Sequence, residues 1–178
     1  AANGLEIKTL HANKGKIIGA PVALENGLLI PSGDHNLYFV SLDGEIQWKL
    51  QTKNSLWSSP INNENTGYLS SLDHNLYAFQ LLDGKVIWKV DLGGAAVASP
   101  ALGEDGTIFV GTLSNEMLAI DPSSGKFLWR YPTTNAVWSQ PLIMNGILYF
   151  GDLSGTLYAL DGKKGEPIWE LDASSGAI

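Results

Sequence analysis

The sequence predicts an all-β protein made of four copies of one unit of about 40 residues. Four prolines recur once in each unit at a nearly constant interval: Pro21, Pro60, Pro100 and Pro141. Four tryptophans keep the same interval at a second position of the unit: Trp48, Trp88, Trp129 and Trp169. No segment shows a sustained helical period. Four short antiparallel strands in every unit predict meandering sheets, and the assembly that this pattern favours is a β-propeller with four four-stranded blades.

Each unit divides into four short apolar and β-branched segments that are punctuated by turn residues. In the third unit the predicted strands cover residues 97–102, 107–112, 116–121 and 126–131. The predicted blades cover residues 17–54, 55–94, 95–135 and 136–173. Residues 1–16 hold an orphan outer strand at 5–10 with its lead-in, and residues 174–178 read as the start of a further blade.

The predicted turns repeat with the strands, and residues that tolerate a positive φ angle occupy them. The first hairpin of each unit is assigned to Asn26-Gly27, Thr66-Gly67, Asp105-Gly106 and Asn145-Gly146. The second is assigned to Asn36, Asn75, Asn115 and Gly155. The third is assigned to Asp43-Gly44, Asp83-Gly84, Asp121 to Gly125 and Asp161 to Gly165.

Composition excludes several classes of protein. The 178 residues are 44% hydrophobic and 16% charged, which is typical of a folded domain and not of a disordered chain. The absence of Cys excludes disulfide scaffolds, thiolate zinc sites and thiol nucleophiles. No apolar run is long enough to span a membrane. The net charge of −7 disfavours nucleic acid as a partner.

The ends of the units carry a string that resembles a known repeat. Residues 119–129 and 159–169 both read A-x-D-x-x-x-G-x-x-x-W, and the first two units keep Asp, Gly and Trp with shorter turns. This string resembles the tryptophan-docking repeat of PQQ-like (quinoprotein-like) β-propellers, and the resemblance covers essentially the whole chain. The resemblance implies that Trp48, Trp88, Trp129 and Trp169 pack against the neighbouring blade as structural docking residues. It also implies a larger ring of about six to eight blades.

The family contains two broad kinds of member, and the resemblance here is to the non-catalytic, BamB-like branch. Quinoprotein dehydrogenases are expected to hold pyrroloquinoline quinone and calcium beside an adjacent Cys pair, and this chain has no Cys. We therefore expect no cofactor, no metal and no catalytic residue, although enzymatic activity stays open. The favoured function is a scaffold for a protein or peptide partner in the periplasm or cell envelope of a bacterium. The alternatives are a fragment of a quinoprotein oxidoreductase and a ligand-sensing domain of a signalling protein.

Two further features are candidate sites. His35 and His74 lie in twin Asp-His-Asn-Leu-Tyr strings, whose turn position predicts solvent exposure rather than a metal site. Trp57 and Trp138 lie three residues before Pro60 and Pro141, where the other units have Ile18 and Val97. They are predicted to lie near the central channel, either filling space between blades or gripping a peptide or small ligand. The predicted surface is Trp57, Ser58, Ser59, Trp138, Ser139 and Gln140.

The strand inventory predicts a segment of a larger ring. One orphan outer strand, four blades and the opening of a fifth would leave unpaired edges in a four-bladed ring. Two copies of the chain joined head to tail as a homodimer are one way to complete an eight-bladed ring.

Overall fold

The computed structural model describes residues 15–173, and it confirms the predicted all-β architecture. In these described residues sixteen strands form four four-stranded antiparallel sheets, each built from four consecutive strands in chain order. We number these sheets as blades 1 to 4 along the chain. Within residues 15–173 there is no helix of the length and apolarity needed to cross a bilayer. The predicted strand at 5–10 and the predicted blade opening at 174–178 lie outside the described residues.

Each blade runs from a short first strand to a longer fourth strand. Blade 1 contains β1 (Val22–Leu24), β2 (Gly27–Pro31), β3 (Asn36–Ser41) and β4 (Ile46–Gln51). Blade 2 contains β5 (Ile61–Asn63), β6 (Thr66–Ser70), β7 (Asn75–Gln80) and β8 (Val86–Asp91). Blade 3 contains β9 (Ala101–Leu102), β10 (Ile108–Thr112), β11 (Glu116–Ile120) and β12 (Phe127–Pro132). Blade 4 contains β13 (Leu142–Met144), β14 (Ile147–Gly151), β15 (Thr156–Asp161) and β16 (Pro167–Asp172).

The first strand of blade 3 is shorter than predicted. It covers Ala101–Leu102 only, and residues 97–100 lie outside any strand. Pro100 has no N–H to give to a sheet. The carbonyl of Ala98 instead accepts a hydrogen bond from the hydroxyl of Ser70 in blade 2, at 2.9 Å. These residues therefore connect two blades instead of extending one.

The first hairpin follows the prediction in blade 4 and differs from it in blades 1 and 2. Asn145 and Gly146 form the predicted turn with φ of 52° and 76°. In blades 1 and 2 the turn lies one residue or more earlier, and Gly27 and Gly67 are strand residues. A Cβ at Gly67 would lie 2.2 Å from Cζ of Phe79. The glycine makes room for a phenylalanine ring, which is a packing requirement and not a turn requirement.

The second hairpin places its positive φ at different residues from those predicted in blades 1 and 2. His35 and His74 have φ of 71°, whereas Asn36 and Asn75 begin the next strands. Asn115 and Gly155 take the predicted left-handed conformation, with φ of 60° and 87°. Histidine, like asparagine, is enriched at positive φ. The third turn agrees with prediction, since its four glycines have φ between 70° and 79°.

The apolar core lies between consecutive blades. Three clusters of buried residues join blade 1 to blade 2, blade 2 to blade 3 and blade 3 to blade 4. The third strands of blades 2 and 3 supply residues to the clusters on both of their faces, which explains their near-continuous apolar sequence. Burial of this kind stabilises by about 25 cal/mol per Å² of apolar surface, so the contacts between neighbouring blades contribute to the stability of each blade.

A tryptophan locks each of these three contacts. The indole Nε1–H donates a hydrogen bond to a backbone carbonyl of the next blade: Trp48 to Leu81 (3.1 Å), Trp88 to Pro122 (3.0 Å) and Trp129 to Gly162 (2.9 Å). The ring then covers the glycine of the third turn of that blade. A Cβ on these glycines would lie 2.6 to 2.7 Å from the ring: Gly84, Gly125 and Gly165. Glycine is needed there both for its positive φ and for the close approach of the indole.

Candidate functional site

The segments that connect one blade to the next carry the two tryptophans that are not docking residues. We call the four residues that lie three positions before the repeat prolines the collar: Ile18, Trp57, Val97 and Trp138. Trp57 is 37% exposed and Trp138 is 49% exposed, whereas Val97 is only 7% exposed. The first strands that follow them are the inner strands of the blades, and β9 and β13 approach each other. The collar residues therefore lie on the segments that lead into the inner strands.

Each connecting segment begins on the left-handed residue of a hairpin. Thr52 donates its N–H to the carbonyl of His35 at 2.8 Å, and Thr133 donates its N–H to the carbonyl of Asn115 at 2.9 Å. Because these two acceptor residues have positive φ, their carbonyls turn toward the end of the outer strand. His35 thus has a backbone role in directing the chain toward Trp57.

A carboxylate from the following blade fixes the middle of both segments that carry a tryptophan. Asp73 accepts the N–H of Lys53 at 2.8 Å and the hydroxyl of Tyr77 at 2.6 Å. Asp152 accepts the N–H of Asn135 and the hydroxyl of Tyr158, each at 2.9 Å. The two segments that carry Trp57 and Trp138 therefore share one type of anchor.

These carboxylates are held in their ionised form. Burial raises the pKa of Asp73, but hydrogen bonds from the Tyr77 hydroxyl, the Lys53 amide and Asn75 lower it more, so the pKa is below its ordinary value of 3.8. Burial likewise raises the pKa of Asp152, but bonds from Ser154, Tyr158 and the backbone outweigh it and lower the pKa. Burial and the neighbouring carboxylate raise the pKa of the Tyr77 hydroxyl. Proton transfer from Tyr77 to Asp73 is thus disfavoured near neutral pH.

The residue directly before each of these two tryptophans has a fully buried side chain, which fixes the backbone next to the indole. Leu56 and Val137 are 0% exposed. Their N–H groups donate to the carbonyls of Ser32 (3.2 Å) and Thr112 (3.0 Å) in the preceding blade. Each indole therefore projects from a backbone that is anchored on both sides, so its position is preorganised.

Some of the polar residues predicted beside the tryptophans hold the blades together, and others lie on the surface. Ser58 is buried, and its hydroxyl donates to the carbonyl of Ser70 at 2.7 Å. Ser59 donates its N–H to the Ser99 hydroxyl at 2.8 Å, which joins blades 2 and 3. Ser139 and Gln140 are exposed, and they donate to the carbonyls of Gly151 (3.2 Å) and Pro100 (3.2 Å). Of this set, Trp57, Trp138, Ser139 and Gln140 present the larger surface.

The arrangement is suited to binding an apolar side chain between polar neighbours. Exposed indoles offer large flat apolar surfaces, and the neighbouring serine and glutamine groups supply hydrogen bonds. Two clefts lie among the turns at the opposite end of the blades. One is lined by Leu24, Glu64 and Leu81, and the other, of about 230 Å³, by Phe109, Ile143 and Lys163. In residues 15–173 no cluster of three or more His, Cys, Asp or Glu side chains could hold a metal ion.

Sequence reasoning did not find the carboxylate anchors or the buried residues before the tryptophans. Asp73 and Tyr77 lie in one of the twin strings, and their four-residue spacing could have predicted the hydrogen bond between them. The link from Asp73 to Lys53 crosses from one blade to the next and left no local pattern. Asp152 takes the same role from a different position in its hairpin, so the repeat alignment does not identify it.

Comparison with known proteins places these features in a family. The chain matches the family described as outer membrane protein assembly factor BamB, over residues 6–91 and 72–178. No curated protein sequence matches it significantly. Among solved structures it is similar to the crystal structure of BamB from Moraxella catarrhalis, with a TM-score of 0.78 and 20% identity over 94% of this chain and 51% of that one. It is also similar to the computationally designed Ika8 protein, with a TM-score of 0.74 and 13% identity over 85% of this chain and 48% of that one. The chain spans about half the length of both structures, and at these identities the likeness is one of fold.

Proposed function

The chain belongs to the family of the outer membrane protein assembly factor BamB, and from that premise we propose that it is a non-catalytic scaffold that binds a protein or peptide partner at the collar. The observation that carries this proposal is the pair of exposed indoles on anchored segments. Trp57 and Trp138 are 37% and 49% exposed, although their backbones are fixed by Asp73, Asp152 and two buried side chains. Rigid exposed tryptophans are typical of binding hot spots.

The neighbouring groups favour an extended peptide as the ligand. The Ser139 hydroxyl and the Gln140 amide lie directly after Trp138 and are exposed. A peptide that places an apolar side chain on the indole could accept or donate hydrogen bonds beside it. The net charge of −7 favours a partner that carries basic residues, because long-range attraction raises the rate of encounter.

The site of action that we propose is the periplasm or cell envelope of a bacterium. Support comes from the description of the family as an outer membrane assembly factor. Cell fractionation of the source organism, with the chain detected by antibody, tests this proposal. Recovery in the cytoplasmic fraction would contradict it.

The ring in which the collar acts is larger than four blades in this proposal. Support comes from the two solved structures, of which the chain covers 51% and 48%. We propose that two copies of the chain join head to tail as a homodimer to complete such a ring.

A peptide titration tests the binding proposal. The probe is a fluorescein-labelled nonapeptide that alternates Phe and Lys, and its anisotropy is followed as protein is added. Replacing both indoles in the variant Trp57→Ala with Trp138→Ala is expected to weaken binding at least about 30-fold, since a hot-spot tryptophan contributes about 2 kcal/mol or more.

The matched control replaces two exposed leucines away from the collar, as Leu82→Ala with Leu128→Ala. These side chains are 87% and 52% exposed. The control is expected to bind within twofold of the parent chain (about 0.4 kcal/mol or less). Equal weakening by both double variants, or none by the tryptophan variant, would remove the collar from the site.

A further inference from the structure

A cleft between blades 3 and 4 has glycine at three of its lining positions. It lies at the end of the blades opposite the collar and has a volume of about 230 Å³. The glycines are Gly103, Gly146 and Gly162, and the side chains of Phe109 and Ile143 line the cleft beside them. We call these five residues the glycine cleft. Both blades that form it lie within residues 15–173.

Two of these glycines stand where the preceding junction, between blades 2 and 3, has larger residues. Gly103 takes the place of Asn63, since each lies two residues after the first-strand residue that pairs with an aromatic residue of the second strand. Gly162 takes the place of Pro122, since the carbonyl of each accepts the hydrogen bond of a docking tryptophan. Neither Gly103 nor Gly162 has a positive φ, so the backbone does not require glycine at these positions.

The two replacements open a space that is closed in the preceding junction. Gly106 and Gly146 are the first-hairpin glycines of blades 3 and 4, with φ of 83° and 76°. A Cβ on Gly106 would lie 3.5 Å from Nδ2 of Asn63 and 3.6 Å from Cγ of Pro122. A Cβ on Gly146 would have no atom within 4 Å. An open cleft is therefore not a feature of every junction between blades.

The missing side chains leave an apolar wall uncovered. A Cβ on Gly162 would lie 3.0 Å from Cδ1 of Ile143 and 3.5 Å from Cζ of Phe109. A Cβ on Gly103 would lie 3.3 Å from Cε2 of the same phenylalanine. Any larger residue at either position would thus occupy the space beside this wall. At about 230 Å³ the cleft is smaller than the roughly 300–1,000 Å³ of sites for drug-sized ligands, so it suits a molecule of amino-acid size.

Two opposite charges border the glycine cleft from different blades. Lys163 in the third turn of blade 4 and Glu104 in the first hairpin of blade 3 both line it, and both are exposed. Among residues 15–173 the ion pairs lie elsewhere, so neither of these two side chains forms one. Asp105 also lines the cleft, but its Oδ1 accepts the N–H of Thr107 at 3.0 Å. Hydrogen bonds from Thr107 and, less strongly, the charge of Lys163 lower the pKa of Asp105 below its ordinary value of 3.8.

We propose that the glycine cleft binds a free α-amino acid with an apolar side chain. The ammonium of Lys163 pairs with the carboxylate of the ligand, and the carboxylate of Glu104 pairs with its ammonium. The ligand side chain lies against Phe109 and Ile143. A ligand with one charge would leave the other bordering charge without a partner, and a purely apolar ligand would leave both. Charged contacts of this kind orient a small ligand on an apolar surface.

A titration of the 178-residue chain with L-leucine, followed by two-dimensional NMR of the backbone amides, tests the site. The amide signals of Gly103, Gly146 and Gly162 are expected to shift, and that of Gly106 in the preceding junction is expected to stay in place. The expected dissociation constant is about 1 mM or lower, which is within reach of so small a ligand. Glycine, which lacks a side chain, is expected to bind at least about tenfold more weakly, because leucine buries its side chain on the apolar wall.

Two charge variants, each matched with a leucine analogue, identify the contacts. Lys163→Gln is expected to weaken leucine binding about two- to fivefold and to leave leucinamide, which lacks the carboxylate, unaffected. Glu104→Gln is expected to weaken leucine binding by the same factor of about two to five and to leave isocaproate, which lacks the ammonium, unaffected. Lys164→Gln is the control, since Lys164 is exposed in the same turn but pairs with Glu166.

Several results would overturn this inference. They are the absence of shifts at about 10 mM leucine, shifts that spare the three cleft glycines, and glycine binding as tight as that of leucine. Equal weakening by Lys164→Gln and the two charge variants would overturn it as well. The inference goes beyond the proposed function, because no residue of the cleft belongs to the collar. The double variant at Trp57 and Trp138 is therefore expected to bind leucine as the parent chain does, and loss of leucine there would place the ligand at the collar instead.

Discussion

Replacing Gly125 with Ala tests whether the contact between tryptophan and glycine holds the blades together. Gly125 lies in the third turn of blade 3, where the ring of Trp88 from blade 2 covers it. A Cβ at this position would lie 2.7 Å from Cε3 and 2.9 Å from Cδ2 of that ring. The indole is held by its hydrogen bond to Pro122 at 3.0 Å and is packed against the cluster between the two blades. It cannot withdraw without losing these contacts.

The size of the effect follows from two contributions, and a second glycine separates them. Alanine at a positive φ costs about 1–2 kcal/mol in the backbone. Inserting a methyl group into a packed contact costs about 1–3 kcal/mol more. Gly146 has φ of 76°, against 70° for Gly125, and a Cβ there would have no atom within 4 Å. Gly146→Ala therefore carries the backbone cost alone, and Gly125→Ala carries both costs.

Urea unfolding of the two variants and the parent chain, followed by tryptophan fluorescence and far-UV circular dichroism, measures the difference. Gly125→Ala is expected to be less stable than Gly146→Ala by about 1–3 kcal/mol. Because a repeat protein can unfold in parts, separation of the two probes would show that the blades do not unfold as one cooperative unit.

Equal destabilisation of the two alanine variants would refute this reasoning. It would mean that the indole moves aside at no cost and that the close approach seen at Gly125 does not hold the blades. A larger loss in Gly146→Ala would refute it more strongly, since that site has only the backbone cost.

Two further predictions concern the stability of the protein in acid and the packing of Gly67 against Phe79. The folded pKa values of Asp34, Asp73 and Asp152 lie below the ordinary 3.8, so their contribution to the free energy of unfolding is complete above that value and is lost as pH falls through the lowered values. The urea concentration at the midpoint of unfolding should therefore decrease when the pH is lowered below about 4. The decrease should be smaller in Asp73→Asn, whose amide does not titrate. An equal decrease in both proteins would contradict this. Gly67→Ala is expected to cost about 1–3 kcal/mol in urea unfolding because its Cβ would lie 2.2 Å from the Phe79 ring, and no loss would show that the ring can shift freely.

The period of the sequence predicted the fold well, because the residues that set the period act between blades in the same way each time. Trp48, Trp88 and Trp129 each donate to the next blade and each cover a glycine. The details of the hairpins were less predictable. Gly67 follows a turn-like residue in the sequence, yet it lies in β6 because the ring of Phe79 needs its space. That ring belongs to the neighbouring strand β7, so no local pattern around Gly67 shows the requirement.

The aromatic residues of the candidate site could be selected from the sequence, whereas the hydrogen bonds and buried side chains that hold them could not. Trp57 and Trp138 stand out because the repeat has aliphatic residues at the same position elsewhere. Ser58 was predicted beside them on the surface, but its hydroxyl is buried against the carbonyl of Ser70. Sequence shows that a serine follows the tryptophan, and only the packing of blade 2 shows which way its side chain lies.

Comparison of the four units with one another separates structural from functional positions. The docking position is tryptophan in all four units, because the indole must fit a glycine and reach a carbonyl in the next blade. The collar position carries Ile18, Trp57, Val97 and Trp138 in turn, although the backbone around Trp57 and around Trp138 is anchored in the same way. A carboxylate anchor and an exposed tryptophan thus occur together on two segments of the collar. Large indole surfaces on an anchored backbone are what the proposed binding of a partner at the collar requires.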